Sequence, residues 1–238
     1  MDWIKSEIEF SDSSLGSLKF TLVHFDSIEA PIVPSRPAED LDRTSLERAQ
    51  DLLGSVLWLD AVSLFLPFLC HDIRKSNPRH SVRGKKALLL GEGTGACGSG
   101  LAATQFFDLI ITSDLPDLLP LLRLNAELSN VQSGKKIIEA RPVDWINPSH
   151  VADLHAACDY VIGCEVLYGN RFVWSGLLKT ITSTIRRETG IVYICVTQRN
   201  KRHDLDDFSS ELRKYFESVE EFILSDNVSV IKASHIVL

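Results

Sequence analysis

Ala87–Gly100, ALLLGEGTGACGSG, is the stretch that decides the fold. An apolar run meets five glycines within ten residues: Gly91, Gly93, Gly95, Gly98 and Gly100. Lys86–Leu90 is too short for a helix and has no polar alternation, which suits a strand buried on both faces of a parallel sheet. The glycines permit a tight turn and close approach of the backbone to a ligand. Ala96–Phe107 then reads as a helix whose first N–H groups point back into that turn.

Outward from this unit the punctuation is regular. Leu109–Thr112 is a second apolar run and Leu115–Ser129 a second helix, in which Pro120 is a test. With Asp114 as the cap, Pro120 falls in the helix interior at a cost of about 3 kcal/mol. With Asp117 as the cap it sits in the first turn, where N–H groups lack partners anyway. Asp117 is therefore the expected cap, which leaves the Asp114 carboxylate free at the end of its strand. Lys136–Glu139, Asp159–Cys164 and Ile191–Thr197 read as further strands, and Phe172–Arg187 as a helix. Strand and helix in alternation mean parallel strands with crossover helices. After a helix at about Asp204–Phe216, the runs VEEFIL and VSVIKASHIVL are separated only by SDN and must pair antiparallel. The expected fold is a doubly wound α/β sheet, mostly parallel, with an antiparallel last strand.

Upstream, VLWLDAVSLFLPFLCHDI from Val56 reads as a largely buried helix with a kink at Pro67, followed by the loop SNPRHSVRGKK. Residues 1–53 are expected to be an N-terminal extension of the same domain, with one strand at Leu18–His24 and a proline-rich loop, APIVPSRPAED.

Composition bounds the rest. The 238 residues, 45% hydrophobic and 24% charged, suffice for one buried core. No window approaches eighteen uninterrupted apolar residues, and the acidic start MDWIKSEIEF lacks the pattern of a secretory leader, so a soluble, unexported protein is expected. The five cysteines are scattered and never form C-x-x-C, which points away from a disulfide framework or a zinc site and toward a reducing compartment, the cytoplasm or also the nucleus. The seven histidines show no ligand spacing, so no metal is expected. A formal charge of −7 argues against a general nucleic-acid binder and favours a basic protein substrate.

In an open parallel sheet, ligands bind beyond the carboxyl ends of the strands, and four such ends carry unusual residues. The first is the loop Gly91-Glu92-Gly93-Thr94-Gly95. The second is Asp114, nineteen residues beyond Gly95, where a carboxylate can accept both hydroxyls of a ribose. Together they indicate a nucleoside cofactor without saying which one, and the lysine-serine pair of a P-loop is absent. The third is Pro142-Val-Asp-Trp145. Trp145 could lie against an adenine face while Asp144 accepts from its exocyclic amine; equally, Trp145 could be a packed core residue. The fourth is Cys164-Glu-Val-Leu-Tyr168, where Glu165 ends a buried strand, either as a working carboxylate or as half of a structural ion pair.

These four positions in this order resemble the seven-β-strand methyltransferases that use S-adenosylmethionine. More narrowly, they resemble the methyltransferase-like group of protein-lysine methyltransferases that modify chaperones and translation factors. The resemblance covers about residues 54–238. It implies S-adenosylmethionine as cofactor, held by Trp58 at the start of the helix before the first core strand, by Gly91, Glu92, Gly93 and Gly95, by Asp114 with Leu115, by Asp144 and Trp145, and by Cys164. The group's acid, two residues, then an aromatic matches Glu165-Val-Leu-Tyr168, which implies that Glu165 orients the substrate amine and Tyr168 walls the lysine channel. One position departs. Many such enzymes carry an acid two residues before the first glycine, and here that residue is Leu89. Glu92 is the candidate to replace it from inside the loop.

Competing readings remain. A nicotinamide-dependent oxidoreductase shares the glycine loop and Asp114, but no Tyr-x-x-x-Lys pair is present and the terminal strand pair is unaccounted for. A small-molecule or nucleic-acid methyltransferase is open, although CEVLY lacks the prolines that amino-methylating nucleic-acid enzymes often carry. An interaction protein on a methyltransferase fold that has lost turnover is the reading to which Leu89 lends weight. The basic cluster Arg199–Asp204 is a solvated loop or a minor substrate contact.

Overall fold

Alternation at the N-terminus is the first departure from expectation. In the computed structural model, which describes residues 3–12, 16–25, 56–76, 84–167, 171–198 and 202–237, that region holds two strands rather than one. They are β1 (Trp3–Asp12) and β2 (Gly16–Phe25), an antiparallel pair apart from the main sheet. Ile8 and Phe10 of β1 are buried with Phe20 and Leu22 of β2, while Lys5, Glu7 and Glu9 face solvent. That is the period-two pattern of a strand with one covered face. The proline-rich loop, most of SNPRHSVRGKK, Arg199–Lys201 and Tyr168 lie outside the described residues.

The main body follows as α1 (Leu59–Ser76), β3 (Lys86–Leu90), α2 (Ala96–Thr104), β4 (Leu109–Asp114), α3 (Leu119–Ser133), β5 (Ile138–Pro142), β6 (Tyr160–Cys164), α4 (Arg171–Thr184), β7 (Ile191–Thr197), α5 (Arg202–Leu212), β8 (Phe216–Ile223) and β9 (Val228–Ile236). Seven strands form one sheet in the order β5-β4-β3-β6-β7-β9-β8. All neighbours are parallel except β9, which runs antiparallel to both β7 and β8. The order reverses between β4 and β6 around β3, so the glycine turn sits at the topological switch point, where such sheets bind ligands.

Alternate residues of β3 serve two cores. Ala87 and Leu89 pack with Phe65, Leu66 and Leu69 of α1, with α2 and with the hairpin. Leu88 and Leu90 pack with Trp174, Leu177 and Ile181 of α4 and Phe208 of α5. Leu89, where the resemblance would place an acid, is wholly buried in the first of these cores.

Element ends differ from the sequence reading for identifiable reasons. α2 stops at Thr104, not Phe107, because Gln105 adopts φ 56° and closes the helix with its N–H on the carbonyl of Ala102. The third strand starts at Ile138, not Lys136: the Asn130 side chain accepts from the N–H groups of Ile137 (2.8 Å) and Ile138 (2.9 Å) and holds the chain ahead of the strand. Asp117 is not the cap of α3. It lies in a 3-10 turn, Pro116–Leu118; Leu118 precedes the helix, and no side chain caps it. Pro120 does fall in the first turn, where its missing N–H costs nothing.

Candidate active site

The glycine loop has the backbone its composition demands. Gly91, Gly93 and Gly95 take φ values of 60°, 55° and 75°, a region that side chains other than glycine's enter at a cost. At Gly91 a Cβ would also lie 2.9 Å from Cζ2 of Trp145 and 3.0 Å from Cγ1 of Val166. The ends of β3, β5 and β6 are thus pressed together at a position only glycine can fill. Trp145 is half-buried and packs on the core beneath α4, as its core reading expects.

Asp114 is oriented, not free as expected. Its Oδ2 accepts the Gly93 N–H at 2.7 Å and its Oδ1 the N–H of Leu115, also at 2.7 Å. A carboxylate has about four acceptor positions. These two bonds fix its plane and bind the end of β4 to the glycine loop, an attachment reinforced by the Glu92 N–H on the Ser113 carbonyl at 3.0 Å. The carboxylate is buried, which suits a group that recognises neutral hydroxyls by charge-assisted hydrogen bonds.

Glu92 turns back into the helix that follows it. Its Oε2 accepts the N–H of Gly98 at 2.8 Å and the hydroxyl of Thr112 at 3.3 Å. α2 begins after Gly95, which has no side chain to cap it, and Glu92 supplies the missing acceptor from three residues upstream. Burial pushes the Glu92 carboxyl up to about 8, against the lowering influence of the Gly98 N–H.

Glu165, at the end of β6, is held on both sides. Its N–H donates to the Cys195 carbonyl at 2.9 Å and its Oε1 accepts the N–H of Thr197 at 2.6 Å. With φ 61° it is a non-glycine residue in the left-handed region, a strain that surrounding structure must impose. Asp144 caps its own turn, with Oδ1 accepting from the Ile146 N–H at 3.0 Å, and its N–H donates to Nδ1 of His150 at 3.0 Å. Cys164 is half-buried and packs with Cys97 and Cys195, a cluster where β6, β7 and α2 meet. Trp58 is half-buried immediately before α1, with its carbonyl accepting the Val62 N–H at 3.2 Å. Among the described residues no group of three or more metal-ligating side chains occurs.

The structure therefore brings together Gly91, Glu92, Gly93, Gly95, Asp114, Leu115 and Trp145 at the switch point, with Glu165 and Cys164 on the adjacent strand end. Thr112, Val166 and Thr197 were not singled out in the sequence. Each acts through a partner on another element, and no local pattern marks them. Asn125 was legible in principle, being a polar residue on the apolar face formed by Leu121, Leu122 and Ala126.

A family model for lysine methyltransferases matches residues 40–221. The chain belongs to the lysine methyltransferase family. Within it, the protein-lysine methyltransferase METTL21E of Bos taurus is 22% identical over 169 residues, which cover 70% of this chain and 56% of the relative. The chain spans less than two-thirds of the length of the curated relatives it matches. Among solved structures, the methyltransferase domain of bacterial CtHen1 aligns with a TM-score of 0.56 at 14% identity, over 74% of this chain and 99% of that one. An O-methyltransferase family protein from Burkholderia thailandensis aligns at 0.55 and 13%, over 79% and 60%. At such identities the structural likeness shows the fold alone: this family member has the seven-stranded α/β sheet of the methyltransferases.

Proposed function

We propose that the protein is an S-adenosylmethionine-dependent methyltransferase that acts on a lysine side chain of a protein substrate, of the chaperone or translation-factor kind. The observation that carries the reading is the joining of Asp114 to the Gly93 N–H, which sets a buried carboxylate beside three left-handed glycines at the switch point. A glycine cradle, a carboxylate for two ribose hydroxyls, and Trp145 and Asp144 beside them make a donor set that fits a nucleoside cofactor. The bound cofactor supplies an electrophilic methyl group on a sulfonium sulfur.

The chain's own residues bind and orient. Methyl transfer needs an amine lone pair aimed in line with the departing sulfur, so positioning supplies much of the acceleration. A lysine of pKa near 10.4 costs about 4.6 kcal/mol to present as the neutral amine at pH 7. In this reading Glu165, its Oε1 anchored on the Thr197 N–H, receives a hydrogen bond from the substrate nitrogen and orients it. Tyr168 is proposed as the wall of the lysine channel. In this reading Asp114 and Leu115 hold the ribose, Trp145 and Asp144 the adenine, and Trp58 and Cys164 line the cofactor. Glu92, its carboxyl turned toward α2, is the acid that would ionise beside the methionine ammonium in place of the one absent at Leu89. The scattered cysteines support a cytoplasmic or also nuclear location in this reading.

The test is calorimetric titration of S-adenosylmethionine and NAD into the wild type and Asp114→Ala, followed by transfer of labelled methyl to proteins of a lysate by wild type and Glu165→Ala. Saturable binding of the methyl donor alone, weakened at least 10-fold in Asp114→Ala, is expected, with label on lysine lost in Glu165→Ala. NAD binding would refute the reading. Leu89 favours one second reading, a fold retained for interaction without turnover; donor binding with no label transferred to any protein would select it.

A further inference from the structure

The β1–β2 hairpin lies outside the residues that the family model matches, yet its outer edge is fastened to the glycine loop. α3 supplies the fasteners as two carboxamides a pair of turns apart. Gln132 accepts the Thr21 N–H and donates to the Lys19 carbonyl, both at 3.2 Å. Asn125 accepts the Val23 N–H at 2.7 Å and donates to the Val23 carbonyl at 2.8 Å. Each side chain pairs with the strand edge as a neighbouring strand would. Only Asn125 goes further: its second N–H donates to the carbonyl of Thr94 at 2.8 Å.

A carboxamide has two N–H donors and one acceptor oxygen, and all are used in this arrangement. The alternative placement of its oxygen and nitrogen would set oxygen against two carbonyls and N–H against N–H, so the partners fix the orientation. Asn125 is wholly buried, and its Cβ is 4.0 Å from where a Cβ on Gly95 would be. It thus grips the peptide between Gly93, which binds Asp114, and Gly95, which starts α2.

We propose that Asn125 is a positioning residue for the cofactor, and that through it the N-terminal hairpin becomes part of the cofactor site. Docking of the hairpin edge at Val23 and ordering of the Gly91–Gly95 loop are one coupled step. The proposal rests on the reading of that loop as the cofactor cradle. Coupling of this kind is reciprocal: a ligand that orders the loop also holds the hairpin down.

The experiment compares hydrogen exchange in the cofactor-free full chain of wild type, Asn125→Asp, Gln132→Ala and Val23→Pro. Asn125→Asp keeps the acceptor for Val23 but sets oxygen against two carbonyls. Val23→Pro removes the hairpin's N–H and sets a ring carbon where that hydrogen met Asn125 Oδ1, so it breaks the grip from the hairpin side with the loop's own residues unchanged. Gln132→Ala loosens the same edge without touching the loop. Amides of residues 91–98 are expected to exchange at least 10-fold faster in Asn125→Asp and Val23→Pro, with β6 and β7 unchanged, whereas Gln132→Ala accelerates only the hairpin. S-adenosylhomocysteine is expected to bind Asn125→Asp about 10-fold more weakly than wild type, a change of about 1.4 kcal/mol, to bind Gln132→Ala normally, and to slow hairpin exchange in wild type but not in Asn125→Asp. Loop exchange in Val23→Pro equal to wild type, or Asn125→Asp binding the ligand as wild type does, would overturn the proposal alone. Failure of the wild type to bind S-adenosylhomocysteine would overturn the functional reading and this proposal with it.

Discussion

Glu92 shows how a side chain can cap a helix that its own N-cap residue leaves open. α2 starts at a glycine cap, and the orphan N–H of Gly98 needs an acceptor that Gly95 cannot give. A carboxylate at a helix N-terminus is favoured by the dipole, yet burial wins here and carries the Glu92 carboxyl up to about 8. The consequence for stability has a definite sign. An acid whose folded pKa exceeds its unfolded value near 4.5 keeps a proton in the folded chain that the unfolded chain has lost, so folding stability falls as pH rises between the two values. Glutamine keeps the shape and cannot ionise. The melting temperature of Glu92→Gln minus that of wild type is expected to be smallest below about pH 4, to grow between about pH 4.5 and pH 8, and to level off above that. A difference that stays flat across this range, measured by thermal melts in matched buffers, would contradict the assignment.

At the scale of elements, α1 is pinned to the sheet by a polar bond set within an apolar face. Phe65, Leu66, Leu69 and Ile73 bury one side of the helix, and Asp72 shares it. Its Oδ2 accepts the Tyr193 hydroxyl at 2.6 Å and pairs with the Lys232 Nζ at 2.7 Å, joining α1 to β7 and β9. Burial and the neighbouring Asp72 push the Tyr193 phenol far up, so it stays a donor. Removing one partner leaves the other charge buried, and Asp72→Ala is expected to cost about 3 kcal/mol. Asp72→Leu combined with Lys232→Met should recover part of that loss, since no charge is then stranded, while the Tyr193 hydroxyl still lacks its acceptor. Urea midpoints at unchanged m-value would measure both. The same cluster shows what the sequence could and could not disclose. Lys86–Leu90 and Ile191–Thr197 were read to the residue because an unbroken apolar run bounded by glycine or a polar residue is a local signal. Asp114 at the switch point followed from its distance to the glycines. The bonding of Asp114 to Gly93, the turn of Glu92 into α2 and the grip of Asn125 on Thr94 were hidden, because each partner lies on another element. The start of α3 is hidden for a related reason: side chains alone favour Asp117 as the cap, whereas the chain enters the helix through a backbone 3-10 turn.

For the whole molecule, the central strand forces cooperativity. Alternate residues of β3 belong to the cores on opposite faces of the sheet, Ala87 and Leu89 to one and Leu88 and Leu90 to the other. Neither core opens without exposing the strand that serves both, and the glycine loop that ends this strand moves with it. A ligand of the loop therefore stabilises the entire fold, by RT ln(1 + [L]/Kd) when it binds only the folded chain. At a concentration of 100 times Kd this is about 2.7 kcal/mol, and at roughly 2–4 °C per kcal/mol for a chain of this size the shift is about 5–10 °C. S-adenosylhomocysteine is expected to raise the single calorimetric transition by that amount, whereas NAD at the same concentration leaves it in place. Asp114→Ala should melt lower without ligand because it loses the bond to Gly93, and, in the proposed reading, should lose most of the shift with the acceptor for the ribose. Two separate transitions, only one of them moved by S-adenosylhomocysteine, would mean that the cores unfold independently and that β3 does not couple them.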